Sequence, residues 1–158
     1  MEYFPSMLTA AESDGRARHI IQQVNDQGFG LWVVEIPCVA DFIGFVGLNA
    51  TGFDAPFTPC VEIGWRLAYD YWGFGYATEA ASAAIADGFD RLALKEIVSF
   101  TTVANARSRR VMERLGMTHS AAEDFDHPSL PEGHSLRRHV LYRLCCADWQ
   151  RLRRDSES

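Results

Sequence analysis

At 158 residues the chain fits one domain built around one core. Hydrophobic residues make up 47% and charged residues 23%, the balance of a folded globular protein, which excludes a disordered or fibrous chain. The formal charge of −6 comes with no basic stripe beyond the short run Arg151, Arg153 and Arg154, so free DNA or RNA is excluded as a natural partner.

Cys38, Cys60, Cys145 and Cys146 show no metal-ligand spacing and no disulfide framework, and reduced thiols in a cytoplasmic setting fit them. The start MEYFPSMLTAAESDG lacks a charged segment followed by an apolar one. No apolar run approaches the roughly 20 residues of a membrane span. The expectation is a cytoplasmic protein with no metal, no membrane and no nucleic acid.

In chain order, Thr9 to Gln27 opens on Thr-x-x-Glu (Thr9, Glu12), a capping box, and carries Ile20, Ile21 and Val24 at helical spacing. Phe29 to Ile36 and Phe42 to Leu48 are β-branched and aromatic runs around a short loop, which predicts an antiparallel pair. A loop rich in Gly, Pro and Thr covers 51–59. Val61 to Ala68 reads as a strand leading through Trp72-Gly73-Phe74-Gly75 into an alanine-rich helix, Ala77 to Leu92. Glu96 to Val103 reads as a strand, Asn105 to Leu115 as a helix closed by Gly116, and 136–144 as a last strand. This predicts a single mixed α/β domain over 1–150, followed by a short polar tail over 151–158 whose Ser-Glu-Ser end frays.

The turn Trp72-Gly73-Phe74-Gly75-Tyr76-Ala77-Thr78-Glu79 is the most distinctive segment. Two glycines and a small residue let several N–H groups converge where a helix dipole favours an anion, so a phosphate could sit there; a tight strand-to-helix turn would look the same. A P-loop needs Lys-Ser/Thr after its last glycine, and Tyr76-Ala77 stands there instead. A dinucleotide fingerprint needs a third small residue where Thr78 stands and an acid at the end of the next strand, near Val103, which supplies none.

The turn resembles the pyrophosphate-binding segment of GNAT acetyltransferases, Arg/Gln-x-x-Gly-x-Gly/Ala: Gly75 and Ala77 match, while Trp72 replaces the Arg/Gln. Together with Glu62-Ile63-Gly64-Trp65 and with Asn105-x-x-Ser108 followed by Leu115-Gly116-Met117, it resembles the branch of that superfamily that acetylates ribosomal-protein N-termini. The resemblance covers about residues 3 to 145. It implies a mixed, mostly antiparallel sheet flanked by helices, acetyl-CoA as co-substrate, and transfer of acetyl to a primary amine on a small molecule or a protein N-terminus.

By the same resemblance, the N–H groups of Gly73, Phe74, Gly75, Tyr76 and Ala77, with Trp72 and Thr78 beside them, would hold the pyrophosphate. The strand Trp65, Arg66, Leu67 and Ala68 would splay from its neighbour and pair with the pantetheine amides. A backbone N–H on that strand could stabilise an oxyanion. Asn105 would touch the pantetheine arm, although helix capping alone would explain an Asn there. Ser108 would lie near the coenzyme sulfur and protonate the departing thiolate, or be a solvated hydroxyl. An amine nucleophile must first lose a proton, since ammonium groups have pKa values of ~8 to ~10.4. Glu62 matches the position of a base acting through water, or is a rim carboxylate. His127 and His134, in a proline-punctuated loop, are candidate substrate contacts or solvated loop histidines. Glu79 complements the helix dipole.

Relatives begin with a strand and a helix ahead of the segment that Tyr3-Phe4-Pro5 resembles. The first strand and first helix therefore look absent, which would uncover a sheet edge and favour a homodimer. A catalytically silent acetyl-CoA-binding sensor or scaffold is the alternative to an enzyme.

Overall fold

The computed structural model describes residues 9–157, so the expectation drawn from Tyr3-Phe4-Pro5 lies outside the described residues. The elements run α1 (Ala10–Gln27), β1 (Leu31–Ile36), β2 (Ala40–Thr51), β3 (Cys60–Leu67), α2 (Tyr76–Asp90), β4 (Glu96–Thr102), α3 (Ala106–Arg114), β5 (Thr118–His119), β6 (Phe125–Asp126), β7 (Arg138–Cys145) and α4 (Cys146–Glu157). The strands form one mixed sheet in the order β1-β2-β3-β4-β7-β5, with β6 also paired to β7. Only β3 and β4 run parallel; every other pair is antiparallel.

Local chemistry explains most of these elements. The Thr9 side chain accepts from the Glu12 N–H while the Glu12 carboxylate accepts from the Thr9 N–H at 2.7 Å, so the capping box forms as predicted. The β1–β2 hairpin forms in the expected antiparallel sense, with Leu31 opposite Gly47 and Ile36 opposite Ala40. In α2 the small residues Ala81, Ala84 and Gly88 are buried, so this helix lies close on the sheet. Gly116, in the left-handed region at φ 79°, follows α3 where the sequence predicts its end.

The sheet separates two apolar layers. Ile63, Ile97, Val140 and Leu144 point to the side covered by α2, α3 and α4, where Ile85, Phe89, Met112 and Trp149 complete the main core. Val98 and Leu141 point the other way, into a smaller cluster closed by Phe125, Phe53, Phe57 and Phe100. Strand alternation sets this division, since successive side chains leave opposite faces.

The C-terminal segment is a helix where the sequence predicts a short polar tail beyond residue 150. Cys146–Glu157 is helical, because Trp149 packs on Phe89 with ring centroids 5.0 Å apart and Leu152 lies over Gly116. Arg153 covers the outer face of Trp149 at 4.7 Å and pairs with Asp90 at 3.2 Å. These arginines form the solvent side of an amphipathic helix, which a composition count reads as a polar tail. The two-residue strands β5 and β6 carry no sequence signal of their own; they exist because β7 offers them an edge.

Candidate active site

The parallel pair β3–β4 is joined at one register position, Glu62 opposite Val98, and then opens. The Ser99 hydroxyl bridges the start of the gap by donating to the Ile63 carbonyl at 2.9 Å. In an antiparallel ladder a residue directs its N–H and C=O to the same side, and alternate residues face opposite sides. The Ala68 N–H bonds the Ile43 carbonyl of β2 at 2.8 Å, so Arg66 and Ala68 direct their backbone towards β2. Trp65 and Leu67 direct theirs into the gap. The expected set Trp65 to Ala68 is therefore corrected: Trp65 and Leu67 can pair with an extended ligand, whereas Arg66 and Ala68 are committed to β2. The Leu67 carbonyl already accepts from the Trp72 indole N–H at 2.8 Å, which leaves Trp65 with both backbone groups open to the notch. The gap is the floor of a cleft of about 420 Å³ that passes from one face of the sheet to the other.

At the end of β3 the chain turns into α2. Gly73 and Gly75 hold φ values of +85° and +90°, a region that side chains penalise, and a Cβ at either position would meet open space. The demand is therefore conformational, and it leaves the backbone approachable. Gly75 is the α2 N-cap and offers no side-chain acceptor, so the first-turn N–H groups of Tyr76, Ala77 and Thr78 remain available for an anion. Trp72 pins the turn to β3, and the Arg107 guanidinium stacks on its ring at 4.9 Å. Arg107, between Asn105 and Ser108, brings a positive charge beside the turn; it is visible in the sequence but gains meaning only once α3 and the turn are adjacent. Phe74 is exposed and packs on Tyr76.

Asn105, Ser108 and Trp65 meet in the cleft. The Ser108 oxygen accepts from the Trp65 indole N–H at 3.3 Å and from the Asn105 amide at 3.1 Å. With both lone pairs engaged, the hydroxyl's remaining capacity is its own proton. Asn105 also caps α3 by accepting from the Ser108 N–H at 3.2 Å and donates to the Thr101 hydroxyl at 2.9 Å. Its amide is occupied in holding Ser108 and starting the helix, so the structure gives it a positioning role first.

Glu62 lies at the closed end of the notch, surrounded by protein but touching the cleft. Burial raises its carboxyl to about 7, opposed by the hydrogen bond from Thr51 at 3.3 Å. Thr51 is approached by the Asn49 amide at 3.5 Å, and Gln23 on α1 donates to Asn49 at 2.9 Å, a polar line from helix to carboxylate. The neighbouring Cys60 thiol is pushed up to about 11 by burial and then by the Glu62 charge, which keeps it protonated and unreactive.

The loop after β6 roofs the cleft. His127 lines it, as do Ser129, Leu130 and Leu136. His134 is not among the residues lining it; its Nδ1 accepts from the Leu136 N–H at 3.1 Å within the same loop. Sequence reasoning missed His139, which sits on β7 with its ring 5.0 Å from that of His127. Alternation along 138–145 places it on the face of Leu141, a signal that could have found it. Arg16 of α1 also reaches the cleft. Among the described residues, no cluster of three or more His, Cys, Asp or Glu side chains is arranged to hold a metal ion. No described helix is long and apolar enough to cross a membrane.

Residues 1–118 match the acetyltransferase (GNAT) domain family. The chain is 31% identical over 140 residues to the FsC-acetyl coenzyme A-N(2)-transacetylase of Aspergillus fumigatus, a match covering 82% of this chain and 55% of that protein. It spans about half the length of the curated relatives it matches (50–57%). An acetyltransferase structure from Agrobacterium tumefaciens superposes with a TM-score of 0.66 at 28% identity, covering 89% of this chain and 74% of that one. A ribosomal-protein-S5-alanine acetyltransferase from Vibrio fischeri shares the fold at a TM-score of 0.72 and 22% identity, over 93% of this chain and 80% of the other. With a match that runs from α1 through the notch and the glycine turn to the end of α3, the chain belongs to the GNAT acetyltransferase family.

Proposed function

We propose that the chain transfers the acetyl group of acetyl-CoA to a primary amine, on a small molecule or a protein N-terminus, by direct attack within a ternary complex. The observation that carries this reading is the notch: two parallel strands tied once, at Glu62 and Val98, with a free-standing glycine turn at one end and an elevated carboxyl at the other.

The residues present fit the coenzyme. The N–H groups following Gly75 would hold its pyrophosphate with Arg107 nearby, and the Trp65 backbone would pair with its pantetheine arm. When bound, the coenzyme supplies an activated thioester. The Trp65 N–H can stabilise negative charge on a carbonyl oxygen, and because the strand is already fixed by β2 this needs little reorganisation. Glu62 takes the proton that an ammonium must lose, and its carboxyl near 7 is matched to that task at neutral pH. Ser108, held by two donors, directs its own proton towards the leaving thiolate.

Ser108→Ala should lower kcat by about tenfold or more while leaving the acetyl-CoA Kd nearly unchanged. A rate within twofold of wild type, in a stopped assay of acetylated product, would reduce Ser108 to a helix residue. The reading as a whole is tested by calorimetric titration with acetyl-CoA. Wild type should bind, and Gly75→Glu should weaken binding at least about 100-fold, because it places an anion against the pyrophosphate and a side chain at positive φ. A folded wild type that does not bind acetyl-CoA would sink the proposal; binding without turnover of any amine would favour the silent module.

A further inference from the structure

The two sides of the cleft differ in chemistry. Alternation sends Ser99 and Thr101 of β4 towards α3, with Asn105 and Ser108, and sends Phe100 and Thr102 to the opposite face. There Thr102 stands directly across from His139, and the loop bearing His127, Leu130 and Leu136 closes over them. This second wall is assembled from rings and aliphatic groups. The His127 ring packs at a tilt, 4.7 Å from Phe53 and 6.1 Å from Phe100 between centroids.

Its polar groups are neutral and few. The His127 Nδ1 accepts from the Ser129 N–H at 3.2 Å, so its proton sits on Nε2. The His139 Nδ1 lies 2.9 Å from the Arg137 carbonyl, to which it must donate, so its Nε2 carries a lone pair. Burial lowers the pKa of both imidazoles, and both are uncharged at neutral pH. The Thr102 hydroxyl, itself buried, has no partner among the described residues. Glu62 is the one carboxylate among the described residues lining the cleft, and Arg16 is the one full cation.

Resting on the acetyltransferase reading above, we propose that this wall is the acceptor subsite and that it takes a small primary amine carried on an uncharged aromatic or aliphatic body. One carboxylate accommodates one ammonium, which it then deprotonates. A polyamine would bring further charges past Arg16 to a wall whose neighbouring carboxylate, Asp126, is already paired with Arg137 and Arg138, so they would be desolvated without a free counter-ion there. A ring or branched chain instead replaces water over Phe100, Leu130 and Leu136 and gains by apolar burial.

The test is a thiol-release assay on the full chain at pH 8 with 2-phenylethylamine, spermidine and an alanine-initiated peptide as acceptors, with acetyl-CoA calorimetry on the same preparation. We expect kcat/KM for 2-phenylethylamine to exceed both others by at least about tenfold. Leu130→Glu should shift the ranking towards spermidine while acetyl-CoA binding is retained, which also shows that the variant is folded. Spermidine or the peptide performing as well as 2-phenylethylamine would overturn the acceptor class and leave the acetyltransferase reading intact. Bound acetyl-CoA with none of the three amines acetylated would overturn the acceptor class as well. Failure of the wild type to bind acetyl-CoA would remove the reading on which it rests.

Discussion

Glu62→Gln is expected to lower kcat by about 10²- to 10⁴-fold and at the same time to make the protein more stable above neutral pH. The first effect follows from loss of the group proposed to accept the ammonium proton. In the wild type, log kcat/KM should rise with pH through about 7 as the carboxyl ionises, and the variant should lack that limb. The second effect has the opposite sign to the usual carboxylate case. The folded state raises this carboxyl from 4.5 to about 7, so it binds the proton more tightly than the unfolded chain does. Stability is therefore greatest on the acid side, falls as pH rises from about 4.5 to about 7, and stays low above that. The charge at pH 8 opposes folding by on the order of 3 kcal/mol, which a neutral glutamine removes. Thermal melts of both proteins at pH 5 and pH 8 check this: the gap should widen at pH 8. A variant that is equally active, or less stable than wild type at pH 8, would show that Glu62 is a solvated rim group.

Trp149→Ala is expected to destabilise the fold by about 3–5 kcal/mol. The indole is 8% exposed and stacks on Phe89 of α2, so its removal leaves a void between α4 and the helix that carries the glycine turn. Arg151→Ala, on the exposed side of the same helix, should change stability by less than about 0.5 kcal/mol. Denaturant unfolding followed by far-UV circular dichroism separates the two. Equal, small effects would mean that α4 is dispensable, as the composition of its last residues first suggests.

Where the sequence was legible, the signal was local. The Thr9–Glu12 box, the glycine turn, the Asn105 cap and Gly116 each state their geometry within a few residues, and the structure places Glu62, Trp65, Asn105 and Ser108 around one cleft. What was not legible depends on register across long separations. The opening of β3 from β4 is fixed by a single pairing between strands separated by α2; the family resemblance implied that the strand splays there, but no residue type by itself announces it. The division of Trp65 and Leu67 from Arg66 and Ala68 follows from alternation, but only once Ala68 is known to bond β2. His139 went unnoticed for a similar reason, since a strand histidine looks structural until the roof loop folds over the strand. In α4, Trp149 and Leu152 stand at helical spacing, and the arginines between and beyond them hid that pattern.

The notch also makes the fold incomplete in a thermodynamic sense. A sheet that holds its own strands apart leaves the last hydrogen bonds of its central ladder to be made by whatever extended, amide-bearing molecule enters. Such a ligand binds the folded chain and not the unfolded one, so it raises stability by RT ln(1 + [L]/Kd). With the proposed coenzyme bound, the resistance of this protein to heat and to proteases would be a property of the solution around it as much as of its sequence. A preparation stripped of small molecules would display the chain at its most fragile.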